Sequence, residues 1–186
     1  MKVLLIFIML FFMGCNANSE NTNSESRFIA LESTTFELLG GKEVEANSEI
    51  VEDAKALISR SNISEYKLIK TDDVKQNLDN AIIIATIDDS RKIPNAKTFT
   101  FAKSISLNED GSGWNWNADS MGQNLDDFKK ILGDDKDKLI IFYDSGEDIF
   151  SPAGSAHTAL IWAKHLGYNN IARVVGGLNA WVDKGY

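Results

Sequence analysis

Hydrophobic positions along the chain fall into short unbroken runs separated by stretches with helical spacing. "AIIIATI" at 81–87, "KLIIFY" at 138–143 and "IARVV" at 171–175 are rich in β-branched residues and short enough for strands buried on both faces. "YKLIK" at 66–70 and "AKTFTF" at 96–101 read as shorter strands. The intervening segments change period. In "NSEIVEDAKALISRS", Ile50, Val51, Ala54, Leu57 and Ile58 recur at helical spacing behind a capping Asn47 or Ser48, which predicts a helix over about 48–60. "TDDVKQNLDN" opens on Thr71 as a cap, with two aspartates at the positive helix end. "MGQNLDDFKKILGDD" places Leu125, Phe128, Ile131 and Leu132 on one face and stops at Gly133. "SAHTALIWAKHLGY" is helical up to Gly167, and "GGLNAWVDKGY" starts a last short helix at a Gly-Gly turn. Strands alternating with amphipathic helices predict an α/β fold, with a mostly parallel central sheet and helices on both faces. Residues 28–46 fit a short strand or a turn of helix, broken at Gly40-Gly41.

The start of the chain departs from this pattern. Lys2 precedes eleven apolar residues, Val3 to Met13, followed by Gly14 and Cys15. That run is too short to span a hydrocarbon core, which takes about 20 residues, and it has the form of a secretory leader. "FMGC" resembles a bacterial lipobox, with Phe12 where a leucine is usual, and the resemblance implies a leader over 1–14 and lipidation of Cys15. Residues 15–27, mostly Asn, Ser and Glu, read as a flexible tether. An N-terminal extension over 28–63 and a main domain over 64–186 complete the expected organisation.

Charge and cysteine count narrow the chemistry. The formal net charge is −8, no basic run occurs, and a nucleic-acid partner is not expected. Cys15 is the sole cysteine. Once it is acylated, the exported domain holds no thiol, so neither a disulfide nor a thiolate metal site forms within one chain. No cofactor and no metal are expected.

The position most exposed to chemical interest is the end of "LIIFYDSGED", where the apolar run breaks at Asp144. In parallel sheets, sites form outside the carboxyl ends of strands. The segment "LIIFYDSG…SAHTALIWAKHLGYNNIARVVGGLNAW", with "IATIDDSRKIPNAKTF" upstream, resembles a rhodanese (sulfurtransferase-like) domain over roughly residues 64–186. That resemblance implies a rhodanese-like fold and a nucleophile loop at the strand tip. In active members a cysteine there holds sulfane sulfur as a persulfide, surrounded by loop N–H groups and a helix N-terminus. Here the matching residue is Asp144, and a carboxylate cannot carry sulfane sulfur in this way. The loop "DSGEDIFSPAG" is also longer than the active type and contains Glu147 and Asp148. It resembles the non-catalytic first domain of tandem thiosulfate sulfurtransferases, which reads "YD", a longer loop, then "SAPR"; this chain has "SAHT", with Thr158 in the arginine's place.

Asp144 accordingly reads first as a residue that accepts loop N–H groups and holds the turn closed. A ligand loop of Asp144, Ser145, Gly146, Asp148, Ser151, Ser155 and His157 is the second reading. Catalysis by Asp144 in the manner of haloacid-dehalogenase phosphohydrolases is the weakest, because Gly146 stands where that chemistry needs a second aspartate. His157 is expected to be a partly exposed helix-start residue, two turns from His165 and too far from it to share a metal. Trp114 and Trp116 read as anchors of a long loop onto the sheet, with a flat binding surface as the alternative. Asp88 and Asp89 read as a solvated turn. The expectation is a bacterial cell-envelope lipoprotein, facing the periplasm or exterior. Its rhodanese-like domain is inactive in sulfur transfer and binds an unknown protein or small anionic ligand. The alternative is the non-catalytic half of a sulfur-transferring tandem or complex, suggested by an end at "DKGY" where family members continue.

Overall fold

The computed structural model describes residues 26–148 and 154–186. The leader, Cys15, the tether up to residue 25 and Ser151 lie outside them. Two helices come first, α1 (Arg27–Leu39) and α2 (Ser48–Ile63). Strands and helices then alternate: β1 (Lys67–Ile69), α3 (Thr71–Gln76), β2 (Ile82–Ala85), β3 (Lys97–Thr98), α4 (Leu125–Leu132), β4 (Ile140–Tyr143), α5 (Ser155–His165), β5 (Ile171–Val174) and α6 (Gly177–Asp183). The strands form one parallel sheet in the order β1-β5-β4-β2-β3.

The apolar runs are continuous because both sheet faces are covered. Ile84, Ile140, Phe142 and Ile171 pack with Phe128, Leu132, Leu160 and Trp162 of α4 and α5. On the other face Ile83, Ile141, Tyr143 and Val174 meet Val74, Leu178 and Trp181 of α3 and α6. Asn47 and Asn124 cap α2 and α4 through their side chains, as their place before each apolar period requires.

Two local readings change. Residues 27–39 form a thirteen-residue helix capped by Ser26, not a strand or a single turn. Its buried face carries Glu32, Thr34 and Thr35 beside Leu31, so polar letters obscure the helical period. Thr71 is not the cap of α3 but its first helical residue. Glu32 does the capping from α1, accepting the Thr71 N–H at 2.7 Å while also binding Lys184. That carboxylate joins α1 to α3 and α6. Leu31 packs with Ala54 and Leu57 of α2 and with Val175 after β5, and Asp53 of α2 pairs with Arg27 at 2.9 Å. Among the described residues no helix is long and apolar enough to cross a membrane.

The long connection between β3 and α4 folds back through an antiparallel bridge between Leu107 and Trp114. Its two tryptophans part company. Trp116 is an anchor, though onto α5 and not the sheet: it lies perpendicular to Trp162 at 5.1 Å and stacks on His165 at 4.0 Å. Trp114 remains 44% exposed.

Candidate functional site

β4 is buried along its whole length, and Asp144 is the next residue. A carboxylate leaving water at such a place needs hydrogen-bond donors for its lone pairs. Three supply them. Oδ1 accepts the Gly146 N–H at 2.9 Å, two residues on. Oδ2 accepts the Ala156 N–H of the first turn of α5 at 3.3 Å and Nη2 of Arg173 at 3.0 Å. Loop, helix start and neighbouring strand therefore converge on one side chain that is 1% exposed.

Arg173 projects from β5 and is equally buried. Burial opposes its charge, but Asp144 and the Tyr66 hydroxyl beside it outweigh that, and its pKa is raised. Nη2 donates a second time, to the Asp148 carbonyl at 2.9 Å. Nη1 has no partner among the described residues. Sequence reasoning did not find Arg173; its signal was a lone charge inside the apolar run "IARVV".

The loop backbone is pressed against the Gly176-Gly177 turn. Leu178 N–H donates to the Asp144 carbonyl at 2.8 Å and Asn179 N–H to the Ser145 carbonyl at 3.1 Å. Donors at the start of α6 are thus taken by the loop. The approach is close enough to exclude side chains: a Cβ on Gly146 would sit 2.0 Å from the Gly176 carbonyl oxygen, and one on Gly177 2.5 Å from that of Asp144. The pairing of "DSG" with "VVGG" is a backbone-on-backbone crossing.

The remaining loop residues go different ways. Asp148 binds Lys103 at 2.9 Å. Ser145 is half-buried and Ser151 lies outside the described residues. Ser155 is turned to the tip of β2: Thr86 donates its hydroxyl proton to the Tyr143 carbonyl at 3.0 Å, so Ser155 donates to Thr86 Oγ1 at 2.8 Å. Asp144 and Asp148 bind Arg173 directly, Gly146 joins through Asp144, His157 lies behind Tyr66 on the other side of the guanidinium, and Ser155 turns to Thr86.

His157 needs correcting. It is 8% exposed, not partly exposed, because α5 lays it against Tyr66, whose hydroxyl lies 3.0 Å from Nδ1. Burial, with the charges of Arg173 and Arg60 nearby, lowers its pKa to about 3. It is neutral at physiological pH. Asp89 sits in the solvated turn and chelates Arg91 at 2.9 Å, an exposed pair that lowers its pKa to about 2. Among the described residues no three His, Cys, Asp or Glu side chains cluster as a metal site.

What the strand tip can do follows from this geometry. The anionic group at the centre of the cradle is the protein's own, and its lone pairs face a guanidinium and two peptide N–H groups. In a cradle of this form, an exogenous anion would have to displace Asp144.

The sequence matches the rhodanese-like domain family over residues 49–184, a span that takes in α2 as well as the sheet. Among solved structures, a rhodanese-related protein from Thermoplasma volcanium is similar at 16% identity, covering 65% of this chain and 95% of that one, with a TM-score of 0.42. A protein of unknown function from Rhodopseudomonas palustris, described as a possible tyrosine phosphatase, is similar at 18% identity. It covers 77% of this chain and 95% of that one, with a TM-score of 0.43. No curated protein matches.

Proposed function

The chain belongs to the rhodanese-like domain family, and from that premise we propose that it is a binding module of the bacterial cell envelope, anchored through lipid on Cys15 and inactive in sulfur transfer. One observation carries the reading. The Asp144 carboxylate takes the Gly146 and Ala156 N–H groups and the Arg173 guanidinium, the kind of donors that would otherwise face a persulfide. A carboxylate cannot form the persulfide, and the only thiol in the sequence is the one assigned to the anchor. The family's architecture persists around a centre that serves stability.

Thiosulfate-to-cyanide sulfur transfer by the full chain is the test. The expected result is no turnover above the protein-free rate. Turnover that Asp144→Ala abolishes would overturn the reading. The anchor is tested separately by detergent phase partitioning: the chain from a bacterial host is expected in the detergent phase, and Cys15→Ser in the aqueous phase.

A further inference from the structure

A second site lies away from the strand tip, between α2 and the start of α5. Ala56, Ser59, Arg60 and Ile63 share one face of α2, and together with Trp114 and His157 they border a groove of about 370 Å³. It adjoins a second depression of about 310 Å³, which shares Ile63, Ser64 and Trp114 and continues over Trp116 and Ile161.

The lining has an unusual polarity for a chain of net charge −8. No carboxylate borders the first groove. Glu65 of the adjoining one is paired with Lys164 at 2.9 Å. Arg60 has no carboxylate within ion-pair distance among the described residues, and its Nε is buried without an acceptor. His157 adds a second donor. The Tyr66 hydroxyl lies 3.0 Å from Nδ1, and with that hydroxyl as donor the ring proton lies on Nε2. The hydroxyls of Ser59 and Ser64 complete a lining that offers donors and a cation but no anion.

Beside this polar end stands an exposed apolar wall. Ile63 is 81% and Trp114 44% exposed. Trp114 is held by its bridge to Leu107 and by the Asn108 N–H to Gly113 carbonyl bond at 2.9 Å. An indole carried on this anchored backbone presents a flat face for ring stacking.

We propose that this groove binds a small aryl oxyanion, its carboxylate, sulfonate or phosphate on Arg60 and His157 and its ring against Trp114 and Ile63. This gives the binding module a ligand class, but it rests on the groove and not on the absence of sulfur transfer. The site stands or falls whatever the thiosulfate assay returns.

The probe is 2-naphthalenesulfonate, titrated into the full chain. Tryptophan fluorescence follows binding, and the Trp114 indole N–H resonance, assigned by Trp114→Phe, locates it. Saturable binding that shifts the Trp114 resonance is expected. Arg60→Gln should weaken it about tenfold or more, the loss of one charge-assisted contact, and Arg60→Lys should retain part of it. Trp114→Ala, at an exposed side chain, tests the apolar wall without touching the core. The neutral sulfonamide, inorganic sulfate and hexanoate should each bind at least tenfold more weakly than the probe, which separates aryl anions from simple anions and aliphatic acids. Equal affinity in Arg60→Gln, shifts confined to Trp162 or Trp181, or no saturation at millimolar probe would overturn the assignment.

Discussion

Nη2 of Arg173 donates to Oδ2 of Asp144 at 3.0 Å, with the two side chains 3% and 2% exposed. A pair this deep is worth little compared with a well-packed apolar replacement, but breaking it from one side strands a charge. Asp144→Asn is therefore expected to lower stability by about 3–5 kcal/mol, and Arg173→Met by a similar amount. The double variant should cost clearly less than the two added together, because neither charge is then left alone. Urea unfolding of the four proteins gives the coupling. Additive losses would mean that each residue acts through other partners.

The donors around Asp144 would also act on a thiol. In Cys15→Ser with Asp144→Cys, the only thiol stands before Arg173 and the Gly146 and Ala156 N–H groups. A neighbouring cation and helix-start donors favour thiolate over thiol, so its titration should fall at least one unit below the ordinary value of about 8.5. Absorbance at 240 nm against pH measures it, and Arg173→Met in the same background should move it back up. A midpoint at or above the ordinary value would show that the cradle holds its form only around a carboxylate.

How far these features could be read beforehand depends on the range of the interaction. The sheet was legible because β-branched runs of five to seven residues bury both faces, and Asn47 caps a helix that begins one residue later. The location of Asp144 was legible for the same local reason. Arg173 was not: it meets Asp144 across 29 residues of sequence, inside a run whose other letters are apolar. Thr71 looked like a cap, yet the donor it exposes is met by Glu32, 39 residues earlier. His157 looked solvated because nothing near it in sequence announces Tyr66, 91 residues away. Periodicity reports which face is buried and is silent on which polar groups are buried together.

The crossing of the two glycine motifs makes a prediction with an internal control. Gly146 has φ +97°, and an added Cβ would lie 2.0 Å from the Gly176 carbonyl oxygen, backbone that cannot turn aside. Gly41 has φ +71° and nothing within 4 Å of the same position. Gly41→Ala should lose only the left-handed conformational term, about 1–2 kcal/mol. Gly146→Ala should lose that and a steric term, for a total of about 3 kcal/mol or more. Matched urea titrations separate the two, and equal losses would mean that the α6 turn can move away from the loop.

His157 sets a dependence on acid that begins near pH 6.5, above the ordinary carboxylate range. Its folded pKa is about 3, against an ordinary value of 6.5, with burial as the main cause and Arg173 and Arg60 adding to it. Between those values the unfolded chain binds a proton there and the folded chain does not. Acid therefore pulls toward unfolding: this residue's contribution is complete above pH 6.5 and is lost as pH falls toward 3. Within that window its slope is about 1.4 kcal/mol per pH unit. His157→Gln keeps a polar side chain beside Tyr66 but does not titrate. The variant will be less stable at pH 7, where Tyr66 loses its preferred partner, and the gap between the two proteins should narrow as pH falls from 6.5 to 4. Carboxylates protonating in the same range contribute to both curves and cancel in the difference. A gap that stays constant with pH would place His157 in water, protonated alike in the folded and unfolded chain, against the burial seen between α5 and Tyr66.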